Sequence, residues 1–434
     1  MENKSAIFIF IFLLIFGALI SFLMVDQNYE SAFFVIIIFA SVLLLSFSPL
    51  YGLVGIFLMA NLFNPSLKIG FINIYASNAL IIVTFFLLFI NILTSKRKKL
   101  IHTSIELPLT LFAIYALSTL RPSTLPGQSK RIMAYLLFVC AYFITVNLLT
   151  NRKKIDYLNK VIFFSSSLGS IYVLYTFFFR PFRGSNLRGY GMFGNPNAFG
   201  EYMLVLFPLL VFFSLNKRNF LLKACLMISF MGFISSISRT AISSLLVSFV
   251  LINVFFKRNY WYFITSIIVI IAILAYPPVY ERFVGVINLT DTSILSRVTL
   301  WKDAWSQFKA NPLLGIGVGN FIGSAIPYDS KPFNNAFNMY LTILVEMGVI
   351  GFFLYLWFWI ILFRDMIKSY YTKISVSEKN FVLTVITSCF AFQFLSLAED
   401  PLIAIMANWT IGVVVGIFYA KQHINLEQQQ NEIE

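Results

Sequence analysis

A chain of 434 residues with 59% hydrophobic and 12% charged residues has too little charge to cover a soluble domain of that size. Its net charge of +14 is scattered over short loops between apolar runs, which points to membrane topology and against a nucleic-acid partner. Cys140, Cys225 and Cys389 fall in separate apolar runs, and His102 and His423 are far apart, so no disulfide, metal site or cofactor is expected.

In chain order, apolar runs predict helices over 6–25, 31–48, 51–63, 71–94, 107–121, 131–150, 160–180, 198–215, 220–236, 240–256, 260–276, 336–363, 380–397 and 402–420. Many of them have about the 20 residues that cross a ~30 Å hydrocarbon core, where the backbone must satisfy itself as helix. The first is read as a retained helix because Ser21–Gln27 offers no small-x-small cleavage site. The run 51–63 is short and carries Gly52 and Gly55, as a re-entrant or tightly packed segment would. The expected fold is an all-α polytopic membrane bundle with about 12–14 spans and one large extracytoplasmic loop. Its parts are an N-terminal bundle over 1–276, the loop with short interfacial helices over 277–335, the C-terminal spans over 336–420 and a cytoplasmic tail over 421–434. Glu427–Glu434 reads as disordered.

Alternating the helices puts Lys96-Arg97-Lys98-Lys99, Arg152-Lys153-Lys154, Lys217-Arg218, Lys257-Arg258 and Arg364–Lys373 on one side. By the positive-inside rule that side is cytoplasmic, and it also holds both termini. Lysine dominates there. The outer side is instead rich in arginine: Arg121, Arg131, Arg180, Arg183, Arg188, Arg239, Arg282 and Arg297. Arginine at a membrane edge either snorkels to the interface or presents its planar fork to phosphate or carboxylate.

Four outer-side segments carry the chemistry. In Arg188–Glu201, Gly189, Gly191 and Gly194 free the backbone, Asn195-Pro196-Asn197 starts a helix with Asn197 as cap, and Arg188 completes an anion cradle. The plain alternative is a loop-to-helix turn. Ser238-Arg239-Thr240-Ala241 is a hairpin of two spans, with an arginine at the hydrocarbon edge that needs a partner or a wet cavity. In Ser296–Phe308, Val298, Trp301, Trp305 and Phe308 form an apolar stripe suited to an interfacial helix. Gly315-x-Gly317-x-Gly319 follows it and reads as a close-packed turn. In Asn334–Gly351, Asn338 and Tyr340 precede Glu346, which lies about two turns inside a helix and requires an arginine partner.

Arg-x-x-Gly-x-Phe-x-Asn-Pro-Asn, then Ser-Arg, then Arg-x-x-x-Trp with Pro-Leu-Leu-Gly-x-Gly-x-Gly-Asn-Phe, then Asn-x-Tyr-Leu-x-x-x-x-Glu-x-Gly-x-x-Gly resemble, in this order, the O-antigen ligase and polymerase superfamily. The resemblance covers about residues 180–360. It implies a GT-C-type glycosyltransferase of the bacterial inner membrane that needs no metal and no nucleotide sugar. Its donor would be an undecaprenyl-diphosphate-linked glycan and its acceptor a glycan, with membrane lipid around it. Flippase and chain-length-regulator partners are further expectations. Ligase-type members carry a His directly before the Asn of the last motif, where it is held to be catalytic. Here that position is Phe337, which cannot move a proton and favours a polymerase over a ligase.

On this reading Arg188, Arg239 and Arg297 bind the diphosphate and acidic sugars, Asn338 orients a sugar hydroxyl, and Tyr340 stacks on the ring. Asn195 and Asn197 belong to the same substrate site. Glu399 is the first candidate for the catalytic base and Asp400 the second, in the outer turn Glu399-Asp400-Pro401, where a helix-capping turn is the competing reading. Glu201, Asp303 and Glu346 are runners-up for the base, with structural pairing the expected role of each. A transporter or lipid flippase is the rival of another class; the paired repeats common in transporters are not seen.

Overall fold

The computed structural model describes residues 35–36, 48–69, 72–94, 100–121, 126–180, 188–215, 219–256, 292–324, 335–372, 375–402 and 404–431, together with single positions between 264 and 284. The helix expected over 6–25, and most of those expected over 31–48 and 260–276, lie outside the described residues. Two compact units divide the chain, residues 1–99 and 100–434.

In the first unit, α1 (Leu50–Leu62) leads into an antiparallel hairpin of β1 (Ser66–Ile69) and β2 (Ile72–Tyr75), with Ser66 opposite Tyr75 and Ile69 opposite Ile72. α2 (Ala76–Thr94) follows directly. The helix expected from residue 71 therefore starts at Ala76, because Ile72–Tyr75 pairs with a strand that apolar content alone does not reveal. α1 packs on α2 through Gly55, where a Cβ would stand 2.7 Å from Leu80 Cδ2.

The second unit contains α3 (Glu106–Ser118), α4 (Pro126–Leu148), α5 (Arg152–Phe179), a 3-10 turn (Gly191–Phe193), α6 (Pro196–Leu215), α7 (Phe220–Ser235) and α8 (Arg239–Phe256). It continues with α9 (Thr292–Ala310), α10 (Met339–Thr372), α11 (Val376–Leu395) and α12 (Ile405–Asn431). α12 is helical through Asn431, so the tail expected to be disordered from Glu427 extends the last helix over most of its length.

The molecule is an all-α polytopic membrane bundle. Among the described residues five helices are long and apolar enough to cross a bilayer: Ala76–Thr94, Gln128–Leu148, Arg152–Phe179, Pro196–Ser214 and Met339–Thr372. The core is apolar, but unlike in a soluble protein many exposed side chains are apolar too, and small polar residues lie inside. On α5, Ser165, Ser166, Ser167, Ser170 and Thr176 are buried while Phe178 and Phe179 are 68% and 72% exposed. An outward apolar face suits hydrocarbon, and inward small polar residues let helices approach and hydrogen-bond. Ser167 Oγ, for example, meets Ser229 Oγ of α7 at 3.2 Å. α4 and α12 pack through a Gly-x-x-x-Gly face in α12. Cβ atoms at Gly412 and Gly416 would stand 2.8 Å from the Phe138 carbonyl oxygen and 2.6 Å from Thr145 Cβ.

Polar side chains gather at the two ends of this unit. At one end Ser104, Asp365 and Tyr419 share hydrogen bonds, and Arg152 Nη2 donates to Asn425 Oδ1 at 3.0 Å. The other end gathers the starts of α4, α6, α8 and α10 and the loop between α11 and α12, and it holds the candidate site.

Candidate functional site

The Gly-rich turn shapes α10. Gly348 has φ 64° and ψ −168°, a glycine-only conformation that breaks the helix after Met347. The carbonyls released by the break find donors elsewhere: Ile316 N on Val345 O and Gly317 N on Glu346 O, both at 2.9 Å, and Tyr115 Oη on Met347 O at 3.2 Å. Gly315, Gly317 and Gly319 all have positive φ, and a Cβ on Gly315 would stand 2.4 Å from the Glu346 carbonyl carbon. The turn is thus a plug pressed into the break, and Arg121 Nη2 closes it on Gly315 O at 3.1 Å. The plugged break places Glu346 in the last turn of the first segment of α10.

α9 delivers Arg297. Its packed face is Leu300 and Ala304 with Phe308, against Phe321, Ala336 and Val345, and Arg297 shares that face at helical spacing. Of the stripe read from the sequence, Val298 and Trp305 are 39% and 47% exposed, whereas Phe308 belongs to the packed face. Arg297 Nη2 donates to Glu399 Oε1 at 2.6 Å, and its guanidinium lies over the Phe337 ring at 5.4 Å. Thr240, beside Arg239 at the start of α8, donates to the same Glu399 oxygen at 3.4 Å. Phe337 therefore offers Arg297 a stacking surface.

Backbone strain flanks this group on both sides. Phe337 and Ile237 have φ of 48° and 47°, a costly region for bulky or β-branched side chains. Ile237 turns the chain from α7 into Arg239, and Phe337 turns it into Asn338. The sequence contains no mark of either.

Asn338 caps α10: its Oδ1 accepts from Leu341 N, and its Nδ2 donates to Leu397 O, both at 3.0 Å. Tyr340 Oη donates to Gln393 at 3.0 Å on the backbone oxygen and 2.9 Å on Oε1, and its ring meets Tyr355 edge-on. Both side chains are thus engaged inside the bundle. The cap of α6 is Asn195, whose Oδ1 accepts from Asn197 N at 2.8 Å ahead of Pro196 at the first helical position, so the cap expected at Asn197 sits two residues earlier. Asn197 Oδ1 instead receives Arg188 Nη2 at 2.5 Å, while Arg188 Nε donates to Ser236 O at 2.9 Å. Arg188 ties the start of α6 to the turn that carries Arg239.

Beneath lies a second ionic group. Arg131 Nη1 donates to Asp400 Oδ2 at 2.7 Å, and its Nε stands 2.8 Å from Glu346 Oε1. Arg131 is 1% exposed. On the sequence it is one of eight outer-side arginines, and it has no role assigned. The signal that marks it is its place at the first residue of an apolar run, together with two carboxylates elsewhere that need a partner. Glu201 is buried on α6, close enough to Glu399 and Asp400 to feel their charge, but its Oε2 has no hydrogen-bond partner among the described residues. Asp303 stands apart and accepts from Ser324 N at 2.7 Å. Burial pushes the Glu399 carboxyl above its ordinary range, opposed by Arg297 and by the hydrogen bonds from Arg297 and Thr240.

The structure thus brings Arg239, Arg297, Glu399, Asp400, Glu346 and Glu201 to one end of the bundle, with Asn338 beside them. Residues 224–356 match the family model described as O-antigen ligase, under a third of the chain. The matched stretch includes Arg239, Arg297, Phe337 and Glu346; Arg131, Arg188, Glu201, Glu399 and Asp400 lie outside it. No curated protein matches the chain.

Proposed function

We propose, from the similarity of residues 224–356 to the O-antigen ligase family, that the chain is a polysaccharide polymerase of the GT-C type. It joins undecaprenyl-diphosphate-linked repeat units at the outer face of the bacterial cytoplasmic membrane, into a capsule, exopolysaccharide or O-antigen chain. Both termini face the cytoplasm, and the end that holds Arg297 and Glu399 faces out. The observation that carries the reading is the Arg297–Glu399 pair at 2.6 Å, with Phe337 beneath the guanidinium where ligases hold a His.

The reaction follows from that pair. An acceptor hydroxyl oxygen attacks the anomeric carbon of the donor, the bond from that carbon to the phosphate oxygen breaks, and the lipid diphosphate leaves with the electron pair. Arg297 and Arg239 receive the diphosphate, whose charge grows as the bond breaks. As Arg297 turns to phosphate, Glu399 loses its ionic partner and takes the acceptor's proton. Arg188 holds the turn that aims Arg239, and Asn338 holds the loop that carries Glu399.

The test is extension by purified protein of an undecaprenyl-diphosphate-linked repeat unit, read as a ladder on a gel. A ladder supports polymerisation. Transfer of a preformed glycan to a non-glycan acceptor, with no ladder, makes the protein a ligase. Movement of the lipid-linked unit across vesicles without any new glycosidic bond makes it a flippase.

A further inference from the structure

The reaction drawn above gives Arg131 no task, and Arg131 lies outside the matched stretch. Yet it is among the largest fully buried side chains and joins three separate elements. It projects from the start of α4. Glu346 comes from the segment of α10 just before the break, and Asp400 comes from the loop between α11 and α12.

That loop is held on two sides. Met339 N lies within hydrogen-bond range of both Ser396 O and Glu399 O, at 2.9 and 3.2 Å, and Asn338 Nδ2 holds Leu397 O at 3.0 Å. These contacts fix the backbone of 396–399 to the start of α10. Arg131 fixes the side chain of Asp400 to α4. With Asp400 drawn to Arg131, its neighbour Glu399 is left facing Arg297 and Thr240. Asp400, ion-paired at 2.7 Å, is then an anchor and not a second base.

Stability alone is a poor reason for such a group. A buried ion triad can often be replaced by well-packed neutral side chains without loss of stability, whereas removing one member leaves charge unpaired. What neutral side chains do not reproduce is the guanidinium fork, which sets the direction of two carboxylates at once.

We propose that Arg131 is a positioning residue: it grips Asp400 and Glu346 together, and so holds the Glu399 carboxylate at the height and angle where it meets the acceptor hydroxyl. The inference rests on the reading of Glu399 as the base.

Three variants test it. Arg131→Met alone strands two buried carboxylates and is expected to fold poorly. Arg131→Met combined with Glu346→Gln and Asp400→Asn removes the charges together and should fold. Arg131→Lys keeps the charge and loses the fork. With undecaprenyl-diphosphate-linked repeat units as substrate, the triple variant and Arg131→Lys should lose kcat on the order of 10²-fold, the cost of a small misplacement of a reacting group. Donor KM should hold near the wild-type value, because Arg297 and Arg239 are untouched. Backbone amide exchange over 396–401, measured without substrate, should quicken in both variants.

A triple variant with wild-type kcat and unchanged exchange overturns the proposal and leaves a structural triad. If the triple variant does not fold, normal kcat and exchange in Arg131→Lys overturn it equally. Failure of the functional reading looks different: wild-type protein makes no polymer, or Glu399→Gln polymerises normally, whatever Arg131 does. In those cases the exchange measurement still decides whether Arg131 holds the loop.

Discussion

Replacing Gly348 by alanine tests the link from one glycine to the whole site. With φ 64° and ψ −168°, Gly348 occupies a region that L residues avoid, and a Cβ there would stand 2.1 Å from the Leu313 carbonyl oxygen and 2.8 Å from Gly315 N. Alanine cannot remain in place; either α10 straightens or the glycine turn is expelled. The dihedral costs about 1–3 kcal/mol, and the overlap roughly as much again. Straightening α10 returns the carbonyls of Val345 and Glu346 to the helix and releases Ile316 N and Gly317 N, while Val349 N loses Pro312 O. Each such bond contributes a net of about 0.5–1.5 kcal/mol. Straightening relieves the dihedral and the overlap but gives up three bonds, about 1.5–4.5 kcal/mol in all, so by either route the loss is on the order of 2–5 kcal/mol, concentrated on the turn and the first segment of α10. Detergent-solubilised Gly348→Ala should therefore melt several degrees lower. Amide exchange should rise over 312–319 and 339–347, and polymer should fall sharply as Glu346 leaves Arg131. A variant with unchanged Tm and unchanged exchange at the turn would refute the claim that the glycine break positions the site.

Glu399→Gln should fold and lose about 10²–10⁴ in rate, the usual contribution of a positioned base. Because burial raises the Glu399 carboxyl, the wild-type rate should climb with pH through a limb above the ordinary carboxylate range, and Glu399→Gln should lack that limb. The stability sign is the reverse: a group raised on folding adds stability below its unfolded pKa and loses it as pH rises through the folded value, so wild type should lose stability relative to Glu399→Gln across that window in a pH series of melts. Arg297→Lys retains charge but gives up the fork and the flat stacking surface on Phe337; donor KM should rise roughly 10- to 100-fold, as for loss of a charge-assisted hydrogen bond of about 1.5–3 kcal/mol. Reporters fused after Lys154 or Lys217 should read cytoplasmic and one at Ser330 external; the opposite pair of readings would invert the orientation and remove the outer-face site. Gly416→Leu should cost about 1–3 kcal/mol or more by forcing α12 away from Thr145 on α4, seen as a lower Tm with the site residues unaltered.

Fold class was written in composition and in the length of apolar runs, because in hydrocarbon a backbone has little choice but helix. Most helix positions follow for the same reason, and errors fall where other forces decide: Ile72–Tyr75 is apolar enough for a helix but pairs as a strand, and α12 runs past its apolar part. The motif order was legible too, along with the fact that Glu346, inside a helix, needed a cation. Which cation was not legible. Arg131 reaches Glu346 and Asp400 across 215 and 269 residues of chain, and no local period records a pairing of that range. Asn338 and Tyr340 show the same limit from the other side. Their residue types suit a sugar, but Leu397 and Gln393 take up their polar atoms. The different partners of Glu399 and Asp400 were likewise left to packing: the sequence ranks Glu399 ahead of Asp400 as a base, but only the folded loop gives Asp400 to Arg131 and Glu399 to Arg297. Sequence determines which groups must be hidden from lipid and which must find a partner; tertiary structure assigns the partners, because a long-range ion pair depends on where helices from distant parts of the chain meet.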